Sequence, residues 1–181
     1  TIYAIFDEER ADKICAVIKR SIHIFSNFFD GKMIDSLIIG ALTFVSMMII
    51  SLFGVPGFSN CALLVGIVVG ITNMIPYFGP FLGGIPSILL LCIYSLNSAL
   101  IFAILIIIIQ QLDGNLIGPK ILGNSTGLRP LWIIFAITLG GWIAGIPGML
   151  LGVPCVAVIA GLLEDWVNER LEAKNIDMPI V

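Results

Sequence analysis

Long apolar runs dominate the chain, interrupted by short clusters of glycine, proline and polar residues. Six of them read as hydrophobic helical segments: Ser36 to Phe53, Cys61 to Ile75, Phe81 to Leu96, Ser98 to Ile109, Leu131 to Ile143 and Met149 to Leu163. Gly54-Val-Pro56-Gly57 closes the first, Pro76 the second, and Gly145-Ile-Pro147-Gly148 parts the last two. A helix needs about 20 apolar residues to cross a hydrocarbon core of about 30 Å. Several of these segments are shorter, so the second with the third, and the fifth with the sixth, either cross fully or form re-entrant hairpins. Irregular backbone at membrane depth is tolerated only where protein or a watery cavity surrounds it.

The stretch from Asp7 to Phe29 has a different pattern. Ile14, Ile18, Ile22, Phe25 and Phe29 recur at helical spacing with charges on the other faces, which predicts an amphipathic helix lying along the cytoplasmic surface. His23 belongs to it and is expected to be an ordinary interfacial histidine. The fold class is therefore all-α, a polytopic membrane protein. Residues 1–6 read as the tail of a truncated hydrophobic segment, 7–35 as the cytoplasmic amphipathic helix and linker, 36–163 as the transmembrane region, and 164–181 as a cytoplasmic tail. Thr stands at position 1, which suggests a fragment.

Composition supports lipid as the solvent. Of 181 residues, 59% are hydrophobic and 12% charged, with mean hydropathy +1.09, against about a quarter charged in ordinary soluble domains. Such a chain folded in water would expose apolar patches well beyond a few hundred Å². A net charge of -3 describes only the small wetted fraction and gives no reason to expect nucleic acid. Cys15, Cys61, Cys92 and Cys155 are dispersed, with no C-x-x-C pair, and read as small hydrophobes.

Charge placement bears on orientation. Arg10, Lys13, Lys19, Arg20 and Lys32 precede the first segment, Lys120 and Arg129 follow the fourth, and Arg170 and Lys174 follow the sixth. With the chain starting inside and six crossings, all nine cations are cytoplasmic, as the positive-inside rule asks. Hairpins in place of crossings leave the same nine on the same side.

Two stretches carry the candidate chemistry. Asn73-Met-Ile-Pro-Tyr-Phe-Gly-Pro-Phe-Leu-Gly-Gly-Ile-Pro86 places three prolines and three glycines in a lipid-compatible region. Each proline removes a donor and obstructs a preceding carbonyl. Freed backbone groups beside Asn73 and Tyr77 could serve a solute, as broken helices do in many transporters, or the stretch could be a tight cytoplasmic turn. Gln110-Gln111-Leu-Asp113-Gly-Asn115-Leu-Ile-Gly-Pro119-Lys120 follows the most apolar run. Buried polar groups of this kind mark pathways or helix contacts. Asp113 and Lys120 could form a gate or a cation-coupling site, or both could be hydrated at the surface. The phosphate-loop pattern G-x4-G-K-[ST] is not met, and no metal cluster, cofactor motif or nucleophile with a paired base is legible. An enzyme is not expected.

Ile75-Pro-Tyr-Phe-Gly-Pro80, Gln110-Gln111-x-Asp113-Gly-Asn115-x-Ile-x-Pro-Lys-Ile-Leu-Gly123, Gly127-Leu-x-Pro130-Leu and Gly145-x-x-Gly148-Met-Leu-Leu-Gly-Val-Pro154 occur in series. In this order they resemble the autoinducer-2 exporter (AI-2E) family of bacterial membrane proteins, over almost the whole chain. The resemblance implies a multi-pass helical exporter or exchanger of the bacterial inner membrane, assembled as a homo-oligomer, with further spans in the longer members. Members are associated with release of autoinducer-2, a small polar compound, and others with sodium/proton antiport. By motif position it implies a functional core of Pro76, Tyr77, Gly79, Pro80, Gln110, Gln111, Asp113, Asn115 and Pro119.

The expectation is thus a transporter in contact with membrane lipid, moving a small polar solute and using a proton or sodium gradient, with Asn73 and Lys120 joining that core. The alternatives are a sodium/proton antiporter and a passive pore or oligomeric scaffold in which the proline and glycine stretches are turns and subunit contacts.

Overall fold

A computed structural model describes residues 7–122 and 130–172, so the expected segment at 1–6 and the end of the tail at 173–181 lie outside the described residues. The elements are all helical: α1 Glu8–Ser51, α2 Phe58–Asn73, α3 Gly79–Cys92, α4 Leu96–Leu112, a π-helical turn Asp113–Ile117, α5 Gly118–Leu122 and α6 Pro130–Glu172. The chain divides into two compact units. One is Phe28–Ser125, and the other joins Thr1–Asn27 to Thr126–Val181.

The amphipathic stretch and the first hydrophobic segment form one uninterrupted helix of 44 residues. No proline falls between Glu8 and Ser51, so nothing in the backbone demands a linker at 30–35. At 1.5 Å per residue α1 is about 66 Å long, roughly twice a bilayer core. Among the described residues, three helical stretches are long and apolar enough to cross a membrane: Ile14–Ser51, Leu96–Ile117 and Leu131–Val167. With 16 and 14 residues, α2 and α3 reach only about 24 and 21 Å.

In the unit Phe28–Ser125, the second half of α1 packs with α2, α3 and α4 around Ile39, Met47, Phe58, Val65, Val69, Leu91, Phe102 and Ile109. Glycines allow the closest approach: a Cβ on Gly40 would stand 2.9 Å from the Gly66 carbonyl oxygen and 3.2 Å from the Gly70 Cα. Such small-residue seams are how membrane helices pack without help from the hydrophobic effect. The outward faces stay apolar and exposed, including Leu63, Ile67 and Ile71 of α2 and Ile104, Ile107 and Ile108 of α4. That pattern suits a lipid solvent and would be untenable in water.

Helix ends follow the local chemistry. Pro80 lies in the first turn of α3, where its missing N–H costs nothing. Pro86 sits inside that helix and leaves the Leu82 carbonyl without its helical N–H donor, and one residue on, Ser87 Oγ donates to the Gly83 carbonyl at 2.7 Å. Ser95 Oγ caps α4 by accepting from the Asn97 N–H at 3.2 Å. Ser98 Oγ donates to the Pro56 carbonyl at 2.8 Å, tying the start of α4 to the α1–α2 connection.

In the other unit, α6 reverses direction at Ala144 and Gly145, where φ of Gly145 is 62°. This left-handed backbone favours glycine, having no Cβ to clash. Beyond the reversal the two arms run antiparallel, with Gly148 packed on Gly140 and Gly152 on Ala136. The fifth and sixth segments are therefore the two arms of one tight hairpin. Arg20 of α1 pairs with Asp165 of α6 and lies against Gly161. On α1, Phe28 is buried, whereas Ile18 and Ile22 of the predicted apolar face remain exposed.

Candidate functional site

One face of α1 carries Lys32, Asp35, Ile39, Thr43 and Met47, and all five are buried. Successive spacings of three and four residues put them on a single stripe, so the periodicity that buries Ile39 and Met47 also draws a lysine and an aspartate inside. Asp35 has no exposed surface. Lys32 Nζ donates to Asp35 Oδ2 at 2.8 Å, an ion pair one helical turn long.

Asn73, the last residue of α2, is 2% exposed and faces this pair. Its Nδ2 donates to Asp35 Oδ2 at 3.2 Å and lies 3.5 Å from Asp113 Oδ2. One amide therefore draws together two carboxylates from α1 and from the end of α4. Asp35 Oδ1, Asp113 Oδ1, Ser36 Oγ and Gln110 Nε2 are buried and have no hydrogen-bond partner among the described residues. Buried polar atoms are nearly always satisfied, so one orphaned oxygen on each of the two neighbouring carboxylates singles out this place.

The local chain explains how these groups arrive here. After Asn73 the backbone turns through Met74 to Phe78. Tyr77 there has φ 63°, a strained value for a residue with a side chain. Gly79 then lies directly on the Thr72 carbonyl and the Asn73 backbone, closer than any side chain would permit. The Pro and Gly stretch thus brings α3 back against the end of α2 and fixes where Asn73 points. At the other carboxylate, α4 passes into the π-helical turn at Asp113, with the Gly118 N–H bonded to the Asp113 carbonyl. Such widened turns recur at functional sites.

The residues singled out from sequence separate into groups. Asn73 and Asp113 meet in the cluster, Gly79 supports it, and Gln110, one turn before Asp113 on α4, has a buried amide nitrogen without a partner among the described residues. Pro76 is half-buried in the turn, Tyr77 is exposed, and Pro80 begins α3. Gln111 and Asn115 are exposed and bonded to each other, with Asn115 Nδ2 donating to the Gln111 carbonyl at 2.7 Å and to its Oε1 at 3.1 Å. Pro119 and Lys120 lie in α5, and Lys120 is exposed. The ammonium of the cluster belongs to Lys32. Lys32, Asp35 and Ser36 escaped the sequence reading, although the stripe through Ile39, Thr43 and Met47 was the signal that could have found them.

Residues 1–168 match the AI-2E family transporter. The chain belongs to the AI-2E transporter family. Among AI-2E relatives it is 35% identical to YrrI of Bacillus subtilis (strain 168) over 146 residues, 81% of this chain and 39% of that protein. It is 40% identical to YueF of the same organism over 132 residues, 73% of this chain and 34% of that protein. Both are provisionally named transport proteins. It is 27% identical to the AI-2 transport protein TqsA of Escherichia coli (strain K12) over 150 residues, 82% of this chain and 42% of that protein. The chain thus spans about two-fifths of the length of these AI-2E relatives. No solved structure matches it.

Proposed function

We propose that this chain is part of a secondary transporter that exports a small polar solute such as autoinducer-2 across the bacterial cytoplasmic membrane, driven by a proton or sodium gradient acting on Asp113. The cluster of buried Asp35, Lys32 and Asn73 with half-buried Asp113 carries the reading. Ionisable groups inside a membrane protein are costly and are kept where they bind or move charge. Membership of the AI-2E family and the name of TqsA support the solute class. The glycine seams and the exposed apolar faces suit assembly into a homo-oligomer, in line with the same reading.

A second reading is sodium/proton exchange without an organic solute. The complete burial of Asp35 favours it, because its surroundings fit a bare cation better than a furanone-sized molecule.

The test is flux. The full-length protein, made in a host lacking its own exporters, is assayed for autoinducer-2 efflux and, in vesicles, for proton and sodium movement, with Asp113→Asn alongside. Efflux that the variant loses supports the export reading. Cation exchange without efflux supports the second. Neither activity in correctly inserted protein sinks both.

A further inference from the structure

The cluster contains two carboxylates and one ammonium, and these partners are not equivalent. Asp35 is completely buried and holds the Lys32 ammonium at 2.8 Å, while only a tenth of the Lys32 side chain is exposed. Asp113 has no cation paired with it among the described residues; its closest donor is the uncharged Asn73 amide, 3.5 Å away. With both carboxylates ionised the cluster would carry one uncompensated negative charge beside the fully buried Asp35, with Asp113 itself half-buried, which a partly dehydrated site disfavours. One oxygen of each carboxylate, Asp35 Oδ1 and Asp113 Oδ1, is buried without a donor.

We propose that Lys32 and Asp35 form a fixed internal counter-ion pair, which leaves the cluster with a single exchangeable monovalent cation carried on Asp113. The inference rests on the transporter reading of the same site. It assigns the pair a task that no family motif in the sequence marks: to set the number of exchangeable charges at one.

The surroundings of Asp113 support this count. From α1 it meets Lys32 and Asp35, with Asp30 exposed on the same helix. From α2 it meets Asn73, which does not titrate. The only ionisable side chain of α3 is Cys92, at the opposite end of that helix, and Lys120 of α5 is exposed. Gln110 of α4 is uncharged. The charge state at Asp113 is then governed by the α1 pair.

Charge arithmetic separates the variants. Lys32→Met leaves two carboxylates and no ammonium, so the site holds its exchangeable cation more tightly. Asp35→Asn frees Lys32 to neutralise Asp113, and the exchangeable cation is lost. Removing both together leaves one uncompensated carboxylate, as in the parent.

The experiment uses the full-length protein in proteoliposomes. Autoinducer-2 efflux and dye-reported proton movement are measured against pH at fixed sodium, and against sodium at fixed pH. The parent is expected to be activated with a Hill coefficient of about 1 in the cation that acts, and the two arms tell which cation that is. Lys32→Met should move the activation midpoint about tenfold or more toward lower cation concentration, the usual scale for losing an adjacent ammonium. Asp35→Asn should abolish the cation dependence, and the double variant Lys32→Met/Asp35→Asn should restore it. Unfolding temperature in detergent, followed against pH and sodium, gives the same comparison without flux and reports whether each variant folds. If the single variants do not fold, the double variant decides: restored cation dependence supports the pair, and its absence overturns it. An unmoved midpoint in Lys32→Met, or retained cation dependence in Asp35→Asn, also overturns it. A parent that responds to no cation, and whose flux is indifferent to Asp113→Asn, removes the ion-coupled reading on which the inference rests.

Discussion

Gly79 lies so close to Asn73 that a Cβ on the glycine would stand 2.8 Å from the asparagine Cα. The residue that opens α3 therefore fixes the residue that ends α2, whose amide bridges Asp35 and Asp113.

It follows that Gly79→Ala should push the end of α2 away and disturb the bridge. Forcing extra volume into a packed place costs about 1–3 kcal/mol. Gly84→Ala is the control on the same helix, since a Cβ there meets only Ile106 Cγ1 at 3.8 Å. Thermal unfolding of the detergent-solubilised full-length protein should fall for the first and hold for the second. Equal behaviour of the two would refute the argument.

Loss of the bridge itself can be tested at Asn73. Replacing it by Leu leaves Asp35 Oδ2 with Lys32 as its remaining partner and takes from Asp113 Oδ2 its Asn73 donor. An unmet buried acceptor costs about 1–3 kcal/mol, and stability should drop on that scale. Asn73→Gln, which keeps the amide on a longer stem, should recover part of the loss. A Leu variant as stable as the parent would show that the amide is not needed.

The α6 hairpin makes a separate prediction. At Gly145 the positive φ of 62° with ψ of -141° is a conformation that penalises any Cβ by about 1–3 kcal/mol, so Gly145→Ala should destabilise on that scale. Gly148→Val acts on the seam against Gly140, where the arms touch backbone to backbone, and should open the hairpin altogether. Limited proteolysis of membranes containing each variant distinguishes them: new cleavage near the reversal for Gly148→Val and little for Gly145→Ala.

Arg20 and Asp165 form an ion pair with about half of each side chain exposed. Exposed pairs contribute about 0.2–1 kcal/mol and weaken in salt. Asp165→Asn should therefore shift unfolding only slightly, and the shift should shrink further as ionic strength rises. A large, salt-insensitive loss would mean that the pair is shielded from water.

The sequence was informative where backbone chemistry acts locally. Pro56, Pro76 and Gly145 mark places where helices stop or reverse, whereas Pro86, Pro147 and Pro154 lie inside helices, so the breaks after Phe53 and Ile75 and around Gly145 could be read directly. Asn73 and Asp113 stood out because polar groups are conspicuous beside apolar runs. Their meeting could not be read, because the Asn73 contacts to Asp35 and Asp113 span 38 and 40 positions of chain. Lys32 was legible only as one of the flanking cations. Its charge argued for a place in water, yet its position on the stripe through Ile39 and Met47 placed it inside, and the counter-charge of Asp35 makes that burial tolerable.

The π-helical turn that begins at Asp113 holds one residue more than an α-helical turn would. In the language of insertions and deletions, it is where this helix stores a spare residue. Dropping one position from 114–117 would let the turn relax to ordinary α-helix while every side chain of α4 upstream kept its bearing. The same deletion in the middle of α4 would rotate everything beyond it by about 100°, swinging apolar outward residues inward and carrying Asp113 away from Asn73. Length variation in this part of the chain is thus admissible at one place, directly beside the carboxylate, and hardly anywhere before it.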